Sequence, residues 1–453
     1  MNMSFLQELF SSITHRDALQ RRFGGKKNHY SHGHMVEACQ ELLQSDGEAA
    51  SIVMASRALE IYQSLDDEEK KAFFCVLAKD FAADPDKIDQ AYRVYSKDRS
   101  NKHLAALFEV SEPLRQELFR RLNLGRGATY ELVKMRQDFL ALMKSHKDFE
   151  PINADFVHLF GSWFNRGFLV LRRIDWTTPA SILEKIIRYE AVHKIQGWED
   201  LRRRLDNRDR RCFGFFHPAL GDEPLIFVEV ALTKGLPDRI QPILSNDHYD
   251  IDDPELADSA AFFGISNCQV GLRGISFGNF LIKQVVQELK QELPNLKNFV
   301  TLSPLPMFRS WLEQTYHPDS GLLKPEAQEV LSHLDNPEWI NHPELSERLN
   351  QVVRPLAARY LLKEKNSAGL PMNPVARFHL GNGAELHRIN WLGDVSANGM
   401  KQSAGLMVNY LYVLENIERN NEKFTANGEI VCSPSVRELS RLGRKLFKGE
   451  AEK

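Results

Sequence analysis

The sequence contains few cysteines, and none of them forms a metal-binding or redox pair. Its 453 residues include five cysteines that stand far apart and never occur as CxxC: Cys39, Cys75, Cys212, Cys268 and Cys432. Zinc ribbons and disulfide frameworks need cysteines at short, paired spacing, so this pattern excludes both. Unpaired thiols in odd number are typical of a reducing compartment.

The sequence also lacks an excess of positive charge and long apolar runs. Its 58 Lys and Arg against 61 Asp and Glu give a net charge of −3, so no global positive field favours nucleic acid. No segment approaches the roughly 18 apolar residues that cross a bilayer. The start, MNMSFLQELFSSITHRD, lacks a signal-peptide pattern, and the end, KGEAEK, lacks a peroxisomal tripeptide. We therefore expect a cytoplasmic protein with neither nucleic-acid nor membrane partners.

What is present predicts a globular protein of more than one domain. The length exceeds one ordinary core, and 43% hydrophobic with 26% charged residues is a globular balance. Helical spacing dominates the first third, where Leu114, Leu118 and Leu122 recur every four residues. Later runs such as FLVLRRIDW, CFGFFH, PLIFVEVAL and AAFFGIS predict strands. We expect an all-α domain over 1–155, an α/β domain over 156–453, and a helical insertion around 320–366.

Residues 260–306 predict a strand, a glycine-containing loop, a helix and a second strand. The strands span Ala260–Ser266 and Phe299–Leu302, and prolines after Ser303 are expected to end the second strand. Strands joined by one helix are most simply parallel, so their C-terminal ends share one sheet edge. Ligands of open α/β sheets bind at that edge, and a helix N-terminus there binds anions. The alternative is an ordinary βα loop followed by a turn serine.

Two sets of motifs resemble known families. Arg273-x-x-Ser276-x-Gly278 resembles the acyl-CoA pyrophosphate loop of the GNAT acetyltransferase superfamily, with Ser276 in place of the first glycine. In order along the chain, GLRGISFGNFLIKQVV, FVTLSPLPMFRSWL, NPVARFHLGNGAELHRINWLGDVS and GLMVNYLY resemble the malonyl-CoA decarboxylase family. The resemblance covers most of the chain. It implies that malonyl-CoA is converted to acetyl-CoA and CO₂ without metal or organic cofactor. It also implies a GNAT-like mixed sheet, a helical domain used for homo-oligomerisation, and a role in fatty acid metabolism.

The same resemblance assigns site residues by position. It implies a CoA-binding loop made of Arg273, Gly274, Ile275, Ser276, Phe277, Gly278 and Asn279. It further implies a catalytic Ser303 in LSP-x-P, a catalytic His379 in NPVA-x-FHL, and Tyr412 near the malonyl end. Some relatives carry a longer acidic residue at position 276, so no carboxylate role transfers to Ser276.

The chemistry of decarboxylation explains why these residue types suit the task. Loss of CO₂ leaves a carbanion that the thioester itself delocalises, and C2 then needs a proton donor. We expect His379 to be that donor, because an ordinary histidine pKa lies near working pH, and Ser303 to position it. The reverse assignment stays open. Asn373 and Pro374 predict the N-cap and first residue of a short helix that carries His379.

Two other function classes compete with decarboxylation. A GNAT-type acyl-CoA-dependent N-acyltransferase would need a base such as Glu229, which shares a face of the alternating strand PLIFVEVAL with Phe227. That alternation predicts one face in water. A non-enzymatic CoA-sensing or assembly protein would not need Ser303 and His379 together. His29, His32 and His34 in HYSHGH lack matching carboxylates or cysteines, so we expect a loop there and no metal site.

Overall fold

The computed structural model describes residues 30–143, 147–245, 253–275, 281–317 and 320–448. The chain divides into two compact units. The first comprises the described residues of 1–169 and 269–277 together with His217–Gly221, and the second comprises the described remainder.

The first unit is helical throughout its described residues. A core of phenylalanines joins its helices, with the rings of Phe119 and Phe156 stacked at a centroid distance of 4.3 Å. The α-helices are α1 (His32–Leu43), α2 (Glu48–Ser64), α3 (Asp67–Lys79), α4 (Pro85–Lys97), α5 (Asn101–Ser111), α6 (Leu114–Leu122), α7 (Ala128–Met143) and α8 (Glu150–Trp163). Short 3-10 helices cover Lys147–Phe149, Arg166–Phe168, Pro218–Leu220 and Val270–Leu272.

The second unit is built on a mixed sheet of eight strands in its described residues. The strands are β1 (Val170–Ile174), β2 (Arg210–Phe216), β3 (Pro224–Thr233), β4 (Ser259–Asn267), β5 (Asn298–Thr301), β6 (Ser303–Pro304), β7 (Glu385–Asn390) and β8 (Met407–Leu411). Their order is β1-β2-β3-β4-β5-β8-β6, and β7 also pairs with β8. Only the β4–β5 pair is parallel among the described pairs. The predicted architecture, a helical region followed by a mixed-sheet α/β region, is confirmed.

The second unit also contains α-helices between and after its strands. They are α9 (Ala180–Tyr189), α10 (Trp198–Asp206), α11 (Gln241–Leu244), α12 (Leu281–Glu292), α13 (Phe308–Thr315), α14 (Pro325–Ser332), α15 (Pro343–Lys363), α16 (Pro374–Gly381), α17 (Ala397–Ser403), α18 (Ile417–Asn427) and α19 (Pro434–Arg444). Further 3-10 helices lie at Pro254–Leu256, His333–Asp335, Pro337–Asn341 and Leu414–Asn416. The stretch 320–366 is therefore mainly helical, as its sequence predicts.

Both faces of strand β3 are buried, so the predicted wet face is wrong. All ten residues of β3 are buried. Phe227 joins an apolar cluster formed with helices α9 and α10, while Ala231 joins a second cluster with Phe263 and Met407. The alternation arises because Glu229 is a buried ionisable residue, which hydropathy patterns do not separate from an exposed one.

The predicted strand–helix–strand unit is present, with one correction. Strand β4 runs parallel to β5, with Ser259 opposite Asn298 and Phe262 opposite Thr301. The C-terminal ends of both strands therefore share one sheet edge. The prolines do not end the pairing, because Ser303 and Pro304 form strand β6 against β8. Proline is tolerated there because β6 is an edge strand and needs no further N–H donor.

Candidate active site

Helix α16 holds His379 rigidly. The side chain of Asn373 caps this helix by accepting the Ala376 N–H at 2.9 Å, and Pro374 takes its first position. The predicted cap and first residue are confirmed. The Asn373 amide also donates to the Pro306 carbonyl at 2.9 Å, which fixes the helix start to the segment after Ser303. His379 follows Val375 by one turn, so both residues lie on one face of the helix.

The structure brings the three predicted catalytic side chains together. His379 Nε2 lies 3.0 Å from Ser303 Oγ, and His379 Nδ1 lies 2.9 Å from the Tyr412 hydroxyl. Ser303 Oγ donates in turn to Thr301 Oγ1 at 2.9 Å, and Thr301 Oγ1 accepts the Tyr410 N–H at 3.1 Å. All five residues are buried. A serine and a histidine separated by 76 positions therefore form one hydrogen-bonded pair.

The hydrogen bonds form a directed chain. Because the Ser303 hydroxyl donates to Thr301, Ser303 Oγ accepts a hydrogen bond from His379 Nε2–H. The neutral imidazole then has an unprotonated Nδ1, which accepts a hydrogen bond from the Tyr412 hydroxyl. The chain runs from Tyr412 through His379 and Ser303 to Thr301. Each hydroxyl and ring nitrogen in it has a partner, so the imidazole orientation is fixed from both sides.

Burial keeps this group neutral. It lowers the pKa of His379 to about 3, and the ring stacks on Tyr410 with a centroid distance of 4.6 Å. Burial likewise raises the pKa of Tyr412 well above its usual value. The expectation that His379 has a pKa near working pH is therefore wrong. At neutral pH the residue is an uncharged imidazole that donates from one nitrogen and accepts at the other.

Ser303 and His379 open into a cavity of about 230 Å³. The pair contributes polar atoms to it, and Asn267 is the remaining polar residue among the described lining. The apolar lining residues are Val192, Phe262, Phe263, Ile265, Leu302, Pro304, Pro374, Val375 and Phe378. The described lining contains no carboxylate, lysine or arginine. Pockets for drug-sized ligands occupy roughly 300–1,000 Å³, so this cavity matches a short acyl group rather than a whole nucleotide thioester.

The described part of the predicted CoA-binding loop is ordered by its own hydrogen bonds. The Arg273 and Ile275 amides donate to the Val270 and Leu272 carbonyls, each at 3.0 Å, so these two N–H groups are not available to a ligand here. Gly274 has φ of +80°, in the left-handed region that favours glycine.

This loop is held within the helical unit. Buried Arg136 of helix α7 donates to the carbonyls of Gly271 and Arg273 at 2.6 and 3.0 Å. The rest of the predicted CoA-binding loop lies outside the described residues: Ser276, Phe277, Gly278 and Asn279. CoA binding by this loop stays a prediction.

The structure places Glu229 and the N-terminal histidines differently from what their sequence contexts suggest. Glu229 does not line the cavity; it is 1% exposed and pairs with Arg204 at 3.3 Å. His32 and His34 lie in helix α1 rather than in a loop, and His29 falls outside the described residues. In the described part of the chain, no cluster of three or more His, Cys, Asp or Glu side chains is arranged for a metal ion. No helix of that part is long and apolar enough to span a membrane.

Sequence reasoning missed Thr301, Tyr410 and Asn267. Thr301 and Tyr410 each precede a predicted catalytic residue by two positions, the spacing that places side chains on one face of a strand. That periodicity is the signal that was available in VTLS and NYLY. Asn267 ends strand β4 and shows no comparable signal, because asparagine is common where strands end.

Comparisons with known proteins agree over nearly the whole chain. The family model described as Malonyl-CoA decarboxylase C-terminal domain matches residues 167–450, and that described as the N-terminal domain matches residues 81–164. A solved malonyl-CoA decarboxylase from Rhodopseudomonas palustris is 52% identical, with a TM-score of 0.87, covering 90% of this chain and 99% of that one. The Agrobacterium vitis structure is 50% identical, with a TM-score of 0.85, covering 89% and 99%. The mitochondrial malonyl-CoA decarboxylase of Anser anser anser is 34% identical, covering 83% of this chain and 81% of that protein.

Proposed function

This chain belongs to the malonyl-CoA decarboxylase family, and we propose that it converts malonyl-CoA to acetyl-CoA and CO₂. The observation that carries the proposal is the buried Ser303–His379 pair, with 3.0 Å between Oγ and Nε2, at the wall of a small apolar cavity. A short acyl group fits such a space, and its reacting carbon then meets a hydrogen-bond donor.

The apolar lining favours loss of CO₂. A carboxylate in a site without cations is poorly solvated, whereas the enolate that replaces it spreads the charge onto the thioester oxygen. The bond between C2 and the carboxyl carbon breaks, its electron pair enters the enolate, and neutral CO₂ leaves. The absence of lysine, arginine and carboxylate from the described lining supports this step.

The Ser303–His379 pair then delivers the proton. An enolate carbon is basic enough to take a proton from a neutral N–H or O–H donor, so the low pKa of His379 does not prevent transfer. We assign the transfer to C2 to His379 Nε2–H, which leaves its hydrogen bond to Ser303 Oγ in that step, and we assign the positioning of the imidazole beforehand to Ser303 and Tyr412. The donor regains its proton from solvent, so one proton is consumed for each CO₂ released.

The nucleotide part of the substrate is assigned to the loop from Arg273 to Asn279. The support is its position ahead of helix α12, whose N-terminus has the partial positive charge that anions prefer. The Arg273 and Ile275 amides are engaged within the loop, so this assignment does not rely on them. Malonyl-pantetheine, which lacks the nucleotide phosphates, is expected to show a much higher KM than malonyl-CoA. Equal KM values would contradict this assignment.

The function is tested with purified protein and malonyl-CoA in EDTA. Release of CO₂ with acetyl-CoA in equal amounts supports the proposal, and no turnover would overturn it. An N-acyltransferase would instead form an amide from acetyl-CoA and an added amine. That alternative has weaker support, because the carboxylate it would use as a base, Glu229, lies outside the cavity lining.

We also propose that copies of the chain associate through the helical unit. Helices α4 and α5 contain no buried residue, and they expose Tyr92, Val94 and Phe108, the last at 71%. A helix pair that buries none of its own residues and exposes large apolar side chains is suited to packing against another copy. Light scattering should give a multiple of the chain mass that falls in Phe108→Asp. Phe168→Asp, at another exposed phenylalanine of this unit, should leave the mass unchanged. A parent protein of single-chain mass would overturn this proposal.

A cytoplasmic location completes the proposal. All five cysteines are free thiols, and four of them are buried. Free buried thiols are typical of a reducing compartment. Fractionation of source cells with an antibody to the chain tests this, and recovery from the membrane or secreted fraction would contradict it.

A further inference from the structure

One loop contributes a single residue to the cavity. Residues 190–197 connect helix α9 to helix α10, and of these only Val192 lines the cavity among the described residues. Ser303 and His379 line the same small space. An acyl group whose reacting carbon contacts the pair therefore occupies the small space that Val192 helps to enclose.

The start of this loop is held by a buried carboxylate. Glu190 Oε1 accepts the N–H groups of Val192 at 2.7 Å and His193 at 2.6 Å. Glu190 Oε2 accepts the Ser266 hydroxyl at 2.9 Å, and Ser266 Oγ accepts the Ala191 N–H at 3.3 Å. Three successive backbone N–H groups are thus fixed by two side chains, one of which belongs to strand β4 between cavity residues Ile265 and Asn267.

The far end of the loop is held by a second set of charges. Asp200 Oδ2 accepts the Gln196 N–H at 2.9 Å, and Arg204 lies within 3.5 Å of the Lys194 carbonyl. Arg204 also pairs with Asp200 at 3.4 Å and with Glu229 at 3.3 Å. All of these charged side chains are buried, so the whole loop rests on a polar network that does not itself line the cavity.

Stability alone is a weak explanation for such a network. Buried ion pairs are often no more stable than apolar replacements of equal volume, because desolvation offsets their attraction. In some proteins such pairs instead specify a unique arrangement of the chain around them. Here the chain that they arrange is the loop that presents Val192.

We propose that Val192 limits the size of the substituent on C2 of the acyl group, and that Glu190 is the positioning residue that fixes Val192. This inference rests on the proposed decarboxylation. It assigns the enzyme a preference for an unsubstituted malonyl group over one that carries a methyl group on C2.

The test is a competition between malonyl-CoA and methylmalonyl-CoA with the full-length enzyme. One methyl group in an apolar pocket changes kcat/KM by about tenfold or more. We expect Val192→Ala to raise the ratio of methylmalonyl-CoA to malonyl-CoA turnover about tenfold, and Val192→Ile to lower it. Val170→Ala, at an exposed valine of strand β1, serves as the control and should keep the parent ratio.

Variants of Glu190 test the positioning role in the same assay. Glu190→Ala should shift the ratio in the direction of Val192→Ala, whereas Glu190→Gln should shift it less, because an amide oxygen still accepts both N–H groups. Glu184→Ala, at an exposed glutamate of helix α9, should match the parent.

The outcomes separate the two proposals. Suppose that the Val192 variants decarboxylate malonyl-CoA and keep the same ratio of methylmalonyl-CoA to malonyl-CoA turnover as the parent. That result would overturn the assignment of Val192 while leaving the proposed function in place. If the turnover ratio shifts in Val192→Ala but stays equal to that of the parent in Glu190→Ala, only the role of Glu190 is overturned. A parent enzyme that releases no CO₂ from malonyl-CoA would overturn the proposed function, and this inference with it.

Discussion

Two buried polar groups of the sheet unit differ in charge and in what they face. Ser303, His379 and Tyr412 form a neutral chain, and two of these residues line the cavity. Glu190, Asp200, Arg204 and the β3 residue Glu229 form a network of ionisable side chains, and none of the four lines the cavity. The described cavity lining therefore contains no charged side chain, and this is the space in which we propose that the malonyl carboxylate leaves as neutral CO₂. The comparison separates the residues that we propose for the chemistry from those that we propose to hold the cavity wall in place.

The largest expected effect comes from breaking the neutral chain at its centre. His379→Ala should lower kcat by roughly 10²- to 10⁴-fold, the usual contribution of a positioned proton donor. Ser303→Ala should lower it less, because it removes the positioning partner and not the donor. His387→Ala is the matched control, since His387 bonds Glu385 instead. If the His379→Ala variant had the same kcat as the parent, the site assignment would be contradicted.

A smaller effect is expected at the other end of the imidazole. Tyr412→Phe removes the hydroxyl that bonds His379 Nδ1, and one hydrogen bond within such a group corresponds to roughly a tenfold loss of kcat. Tyr410→Phe is the comparison, because the Tyr410 hydroxyl is buried and has no hydrogen-bond partner among the described residues. Because no hydrogen bond is lost, the Tm of the Tyr410→Phe variant should not be lower than that of the parent. A larger kcat loss in Tyr410→Phe than in Tyr412→Phe would reverse the roles of the two tyrosines.

The pH dependence of activity tests whether His379 is neutral in the folded protein. Because burial lowers the pKa of His379 to about 3, kcat should show no inflection near pH 6.5 from this residue. The folded state holds this proton less tightly than the unfolded state, so the stability contributed by His379 decreases as pH falls from about 6.5 toward 3. Nitrogen-15 NMR of histidine-labelled protein, assigned by the signal missing in His379→Gln, should report a neutral ring at pH 6. An imidazolium signal there would contradict the prediction.

The smallest effect is a stability change within the charged network. Burial, and then the charge of Glu190, raises the pKa of Glu229 to about 8 from its ordinary 4.5. The folded state therefore binds this proton more tightly, and its stabilising effect is lost as pH rises from about 4.5 through 8. The Tm advantage of the parent over Glu229→Gln should be larger at pH 5 than at pH 8. Glu184→Gln should show a constant difference, and a growing advantage at high pH would contradict the assigned direction.

Local patterns predict much of this molecule. Asn373–Pro374 marks the start of helix α16, and the spacing of Leu281, Val285 and Leu289 marks the buried face of helix α12. The parallel pairing of β4 with β5 follows from chain connectivity. The prediction that Ser303, His379 and Tyr412 share one site depended on the family resemblance. No local pattern connects Ser303 with His379, 76 positions later, or His379 with Tyr412, 33 positions later.

Other features were not predictable from local chemistry. The burial of Glu229 depends on Arg204, which is 25 residues earlier, and hydropathy treats a paired buried carboxylate like an exposed one. The depressed pKa of His379 depends on how completely helix α16 and strand β8 exclude water from the ring. The engaged amides of Arg273 and Ile275 arise from a tight turn after Val270, which a glycine-containing sequence permits but does not specify.

The most direct test uses malonyl-CoA labelled with carbon-13 at its free carboxyl, incubated briefly in D₂O with the parent enzyme and with His379→Gln. With the parent, all of the label should leave as CO₂ and the acetyl-CoA should carry one solvent deuterium at C2. Both products should form far more slowly with the variant. Label retained in a thioester or amide product, or equal rates for parent and variant, would contradict decarboxylation through the Ser303–His379 pair.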